Sequence, residues 1–204
     1  MKKQFTIAIL LFTISGSISI VSFSKKADEA KNIKNEIVEL KLDSGESEIA
    51  FNKMMDVLTH QRCMNCHPSD NVPKQGEDSH SHRFGITRKN SVGATNCNTC
   101  HQASNNEYSG VPGAPEWALA PHVMRWEGLS RIEIAKSIMN PENNGNRSAE
   151  DVMHHLTEHE LVLWAWEPGV DAEGNQRELP PVPKEEYIEA VKKWIQLGAV
   201  IPKE

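Results

Sequence analysis

No surplus of positive charge marks this sequence: 22 lysines and arginines stand against 28 aspartates and glutamates, a formal net charge of -6. Acids and bases are interspersed, and no basic stripe or arginine cluster is present. Binding to nucleic acid needs dense positive charge, so that class of partner is excluded. Strand signals are also missing: no run of alternating apolar residues stands out, and the expected class is mainly α. Aromatic residues are few, at 6% of the chain, yet five of them are tryptophans. Cysteine is scarcer still, with four in 204 residues and none outside two short segments. Only one long apolar run occurs, from Phe5 to Val21.

That run follows Lys2 and Lys3 and gives way to the small residues Ser22 and Ser24, then to charge from Lys25. Basic, apolar and small-residue regions in that order predict an export signal over residues 1–24. The run is also nearly long enough to cross a bilayer as an uncleaved anchor. Either reading places the rest of the chain in the periplasm, free or anchored to the membrane and facing it. Residues 25–47 are polar and charged with weak helical spacing, and are expected to form a tether or marginal helix. Residues 48–204 are expected to form the functional domain, since 204 residues suffice for one or two small cores.

Within that domain, Phe51, Met54, Met55 and Leu58 recur at three- and four-residue steps, which predicts a helix from Glu48 to Arg62. Pro68 to Ala94 reads as a long loop, as does Gln102 to Glu116, and loops of that length are usually functional. Ser130 with Glu133 and Ser148 with Asp151 read as helix starts, the first of them a capping box, and Pro141 as a stop. Leu161 to Trp166 is expected to continue the second of these helices as far as Pro168-Gly169. Lys184 to Leu197 is the last expected helix, with Gly198 as its stop.

All four cysteines lie in two copies of C-x-x-C-H, Cys63-Met64-Asn65-Cys66-His67 and Cys97-Asn98-Thr99-Cys100-His101. Two thiols three positions apart on a helical turn can each form a thioether with one vinyl group of a haem. The histidine that follows then falls beneath the iron as proximal ligand. Two disulfides are the alternative for an exported chain, and a zinc site is another. The interval between the pairs exceeds the usual zinc-ribbon spacing, and zinc does not explain both histidines. A thioredoxin-like pair would need a βαβ setting, which is absent. The expected cofactors are therefore two covalently bound haem c groups, held by Cys63, Cys66, Cys97 and Cys100 with His67 and His101 on iron.

Each iron then takes a sixth ligand or keeps an open position. His82, in the loop between the motifs, is one candidate, against the plainer role of a solvated loop side chain. Met124 is a second, against packing beside Trp126. His155 is a third, against a satisfied imidazole in a helix. Met54, Met55, Met139 and Met153 are expected in the core, and His159 at the surface. Arg83, Arg88 and Arg125 suit haem propionates, since the guanidinium fork matches a carboxylate. Tryptophans such as Trp164 and Trp166 could pack on porphyrin or in an ordinary core.

The chain resembles a family of small bacterial dihaem cytochrome-like proteins often labelled isoquinoline 1-oxidoreductase subunits. The resemblance rests on the stretch from Val57 through Cys63, Cys66 and His67 to Pro68, on Gln75-Gly76, and on His82 with Arg88. The second C-x-x-C-H, Pro112 to Trp117 and Met124 to Gly128 add to it. So do Asn144-Gly145, His155, and Leu161-Val162 with Trp164, Trp166, Pro168 and Gly169. Gln61 stands where the family usually has proline, and the Gly198-Ala199 segment lacks a usual cysteine. The resemblance covers the chain from about residue 48 onward. It implies cytochrome c-like helices with long loops around two haems. It also puts His82, Met124 and His155 ahead of other sixth ligands, and implies electron transfer with redox partner proteins such as a separate dehydrogenase. A molybdenum domain has no counterpart in the sequence. The rival expectation is one open iron site, as in a dihaem peroxidase-like enzyme or a haem-based gas sensor.

Overall fold

A computed structural model describes residues 18–88 and 96–203, with side chains described at 28–38, 45–88 and 96–203. The chain divides into two units, Met1–Asp43 and Ser44–Glu204. Most of the expected export signal, residues 1–17, lies outside the described residues. The polar segment that follows is helical, part of α1 (Ile18–Leu58). Its residues 28–38 are exposed throughout, including Ile33, Ile37 and Val38, because their weak apolar spacing never builds a stripe. Among the described residues no helix is long and apolar enough to cross a membrane.

The second unit is mainly α. Its first helical segment is the end of α1, where Phe51, Met54, Met55, Val57 and Leu58 are buried. The helix does not run on to Arg62 as its periodicity suggests. The Thr59 hydroxyl donates back to the Met55 carbonyl at 2.7 Å, and His60 is extended at φ -73°, ψ 151°. His60 then caps α2 (Gln61–Met64) by accepting from the Arg62 amide. A small antiparallel hairpin follows, β1 (Lys74–Gln75) with β2 (His80–Ser81), in register Lys74↔Ser81 and Gln75↔His80.

Both expected serine starts hold. Ser130 and Glu133 form a reciprocal capping box on α3 (Arg131–Met139), and Asn140 ends it. Pro141 stops that helix and opens α4 (Pro141–Asn144), where its missing N–H costs nothing. Ser148 and Asp151 cap α5 (Ala149–Glu158) in the same reciprocal way. The helix does not continue to Trp166: His159 turns extended and caps α6 (Glu160–Leu163), and a 3-10 turn covers Trp164–Trp166. The last helix is α7 (Lys184–Gln196), closed by Gly198 at φ +86°.

One core joins these elements. Ile134, Ala135 and Ile138 of α3, Val152 and Leu156 of α5, and Tyr187, Val191 and Trp194 of α7 pack with the buried face of α1. Met139 and Met153 sit at its edge, partly buried. Each large apolar side chain taken fully out of water stabilises the fold by about 1.5–3 kcal/mol. Trp126 and Val182 enter this core from outside the helices, which ties the irregular segments to it.

Candidate functional site

The first motif begins on α2 and completes a turn beyond it: the Cys66 amide donates to the Cys63 carbonyl and the His67 amide to the Met64 carbonyl. The His67 ring is held on two sides. Its Nδ1 lies 2.5 Å from the Met124 carbonyl oxygen, and its face stacks on Trp126 at 3.5 Å and 11°. The Trp126 and Glu127 amides donate back to the His67 carbonyl. A carbonyl only accepts, so Nδ1 carries the proton and Nε2 keeps its lone pair. Burial pushes the His67 pKa down to about 4, against the opposing hydrogen bond to Met124, so the ring is neutral at neutral pH.

The second motif repeats this arrangement with different parts. Cys97–Thr99 forms a 3-10 turn, and the His101 amide donates to the Cys97 carbonyl at 2.9 Å. His101 Nδ1 lies 2.7 Å from the Pro112 carbonyl, and its ring stacks on Trp117 at 4.7 Å and 8°. Trp117 meets Trp164 edge-on at 4.9 Å, and Trp164 Nε1 donates to Asn105 Oδ1. The same Asn105 oxygen accepts from the Gly113 amide. A Cβ on Gly113 would lie 2.3 Å from the Ser104 carbonyl oxygen and 2.4 Å from that of Gln102, so only glycine fits beside Pro112. Burial lowers the His101 pKa as well.

The two motifs adjoin. Burial raises the Cys63 thiol to about 12 and the Cys66 thiol to about 11, with Cys66 adding to the first shift and Cys97 to the second. All four cysteines are free thiols. Among the described residues no three His, Cys, Asp or Glu side chains gather around one point.

Several buried donors around the first motif lack partners. Arg88 Nη1 donates to the Ala120 carbonyl, and the Ala120 amide donates to the Cys66 carbonyl. Arg88 Nε and Nη2, however, are buried without an acceptor, and the guanidinium lies near enough to lower the His67 pKa. Trp126 Nε1 and the Tyr187 hydroxyl are orphaned too; Trp126 stacks on His67, and Tyr187 lies near Cys63. Orphaned buried donors are rare in native folds and call for a missing partner. The free donors of Arg88, a guanidinium beside His67, suit a carboxylate acceptor.

The candidate sixth ligands separate. His82, just after β2, has its ring centre 6.0 Å from that of His101 at 63°. His155 on α5 meets His159 edge-on at 4.9 Å and adjoins the first motif, where it contributes to the low His67 pKa. Met124 backs His67 through its carbonyl, and its sulfur accepts from the Ser137 hydroxyl at 3.6 Å. His159 is partly exposed and pairs with Glu116. Of the three arginines, Arg83 and Arg125 are exposed, and only Arg88 is tied to a motif. Sequence reading does not find the Met124 and Pro112 carbonyls, because a backbone acceptor leaves no residue signature. It also misses the pairing of each motif histidine with one tryptophan, although the tryptophan excess is a visible signal for it. No family model, no curated protein and no solved structure matches this chain.

Proposed function

We propose that this chain is a dihaem c-type cytochrome that passes single electrons between redox partner proteins. Cys63 with Cys66, and Cys97 with Cys100, each hold one haem: every thiol adds across a vinyl group, sulfur bonding one carbon and the hydrogen going to the other. His67 and His101 present Nε2 to iron. The haem supplies the one-electron redox chemistry when bound, and the remaining work belongs to the chain.

The observation that carries this reading is the shared treatment of the two C-x-x-C-H histidines. In each, Nδ1 is committed to a backbone carbonyl, and a parallel tryptophan, Trp126 or Trp117, fixes the ring. A metal-binding histidine typically donates its other N–H in this way, which sets its tautomer and makes the free nitrogen more basic. A histidine that merely ends a turn has no need of it. Arg88, with two buried donors free beside His67, would be available to a haem carboxylate on the first side. The adjoining motifs favour exchange of electrons between the haems. The basic and apolar start of the sequence supports a periplasmic or membrane-anchored site of action, with a separate dehydrogenase as the kind of donor.

The test is a pyridine haemochrome spectrum with haem-to-protein stoichiometry, on full-length protein matured with c-type haem machinery. Two covalent haems per chain are expected, and one or none overturns the dihaem reading.

A further inference from the structure

The expected ligands leave open which iron each would serve, and the geometry around His101 answers this for one of them. We propose that His82 Nε2 is the sixth ligand of the iron attached at Cys97 and Cys100, so that imidazoles close both faces of that haem. The inference rests on the dihaem reading above and deepens it.

An imidazole nitrogen binds a metal at about 2 Å, which puts two rings on opposite sides of one iron about 6 Å apart, centre to centre. The His82 and His101 centres are 6.0 Å apart. The 63° between their planes is no obstacle, because each ring can turn about the axis through the iron. The nitrogens of the two rings are in matching states. His82 Nδ1 lies 2.7 Å from the Arg83 carbonyl, as His101 Nδ1 does from that of Pro112, so both rings keep the lone pair on Nε2.

His82 is also held in place by the backbone around it. Its amide donates to the Pro73 carbonyl at 2.8 Å, next to the β1–β2 hairpin, and the Lys74 amide donates to the Asn65 carbonyl inside the first motif. The segment that follows one haem-attachment turn therefore delivers a ligand to the other. The competing side chains are engaged elsewhere, since the Met124 sulfur faces Ser137 and His155 stands beside His159 near the first motif. An iron closed by two imidazoles is low-spin and does not bind small exogenous ligands. A gas sensor or peroxidase-like open site at this haem is thereby excluded.

The experiment compares full-length, haem-loaded wild type with His82→Ala, His82→Met and the exposed-loop control His122→Ala. Haem content is measured first. A wild type without two covalent haems sinks the parent reading, and this inference with it. With two haems in wild type and in His82→Ala, electron paramagnetic resonance of the oxidised protein is expected to show one haem turned from low- to high-spin. Reduced His82→Ala should gain carbon monoxide binding at one haem beyond wild type, and added imidazole should restore the low-spin signal. His122→Ala should match wild type. If His82→Ala carries two haems and neither its spin state nor its carbon monoxide binding changes, the assignment of His82 is wrong while the dihaem reading stands. Should His82→Ala fail to mature, His82→Met decides: one haem of two should rise in midpoint potential, as methionine ligation does, and an unchanged pair of potentials overturns the proposal.

Discussion

Arg88 shows how a single side chain reports on the first proposed haem site. Two of its nitrogens are buried without acceptors while a third is anchored on Ala120, whose amide reaches Cys66. A cation placed there would oppose the extra positive charge of an oxidised haem and so would raise its potential. At roughly 10 Å and an effective dielectric near 20, one unit charge is worth about 1–2 kcal/mol. For one electron that is on the order of 40–80 mV. Arg88→Leu should therefore lower one of the two midpoint potentials by about that much, and Arg88→Lys by less, in a potentiometric titration of the haem-loaded protein; a rise would contradict the placement. Arg62 poses the opposite case, a buried guanidinium whose partners are all present: Nη2 reaches Glu77 and Nε donates to the Glu178 carbonyl. Burial works to raise the Glu77 pKa, but hydrogen bonds from Gln61, the Glu178 amide and Arg62, with the Arg62 charge, outweigh it and leave the carboxyl below its usual range. A depressed carboxylate contributes stability above its unfolded pKa of about 4.3, and that contribution is lost as pH falls through the lower folded value. Glu77→Gln should remove about 1–2 kcal/mol at pH 7, less than the loss of a fully buried partner, because the Glu77 side chain is 44% exposed. Urea midpoints across pH 3 to 7 check this: the variant should lose less stability on acidification than wild type.

Helix boundaries carry the next set of consequences, because α3 and α5 hang on serine caps. Ser148 accepts from the Asp151 amide while the Asp151 carboxylate accepts from Ser148, and the helix so started carries His155 with the core residues Val152 and Leu156. Ser148→Ala should cost about 1 kcal/mol, read as a lower urea midpoint with an unchanged slope; no change would mean the cap is already satisfied by water. These serine starts were legible because the cap residue and its acidic partner both stand in the sequence at fixed offsets. The breaks at His60 and His159 were not. Each histidine accepts from the amide two residues on, at 3.3 Å, and so performs the part normally played by serine or aspartate. Apolar periodicity continues straight through both positions, so it extends the helices too far. The same limit applies to the site. The C-x-x-C-H histidines and their spacing are explicit, and so is the glycine-proline turn after the second motif. What Gly113 permits there is not, since the close approach of the Ser104 and Gln102 carbonyls depends on the folded path of the loop. Gly113→Ala should displace the Pro112 carbonyl from His101 and broaden or shift the signals of one haem, seen by electron paramagnetic resonance, while the other haem stays as in wild type.

At the scale of the whole molecule, the second unit contains everything the proposed function needs. Both motifs, the tryptophans that stack on their histidines and every core residue of the helical cluster lie between Ser47 and Ile201. Residues 28–38 are exposed throughout, and the Ile33, Ile37 and Val38 side chains stay about half open to solvent. Their helix is sustained by propensity alone, and a polar helical segment without a packed face is marginal in water. At the border, the Lys193–Glu46 ion pair connects α7 to the last turns of α1, and both partners are about half exposed, so the pair contributes little. The packed core and both C-x-x-C-H motifs thus lie within residues 44–204. A chain beginning at Ser44, exported behind an unrelated signal and matured with haem, should match the full-length protein to within about 0.5 kcal/mol in urea unfolding, the usual effect of removing exposed surface. Its haem stoichiometry and both midpoint potentials should be unchanged. A loss above about 1 kcal/mol, or a shift in either midpoint potential, would mean that residues before Ser44 contribute to the stability of the second unit or to its proposed redox sites.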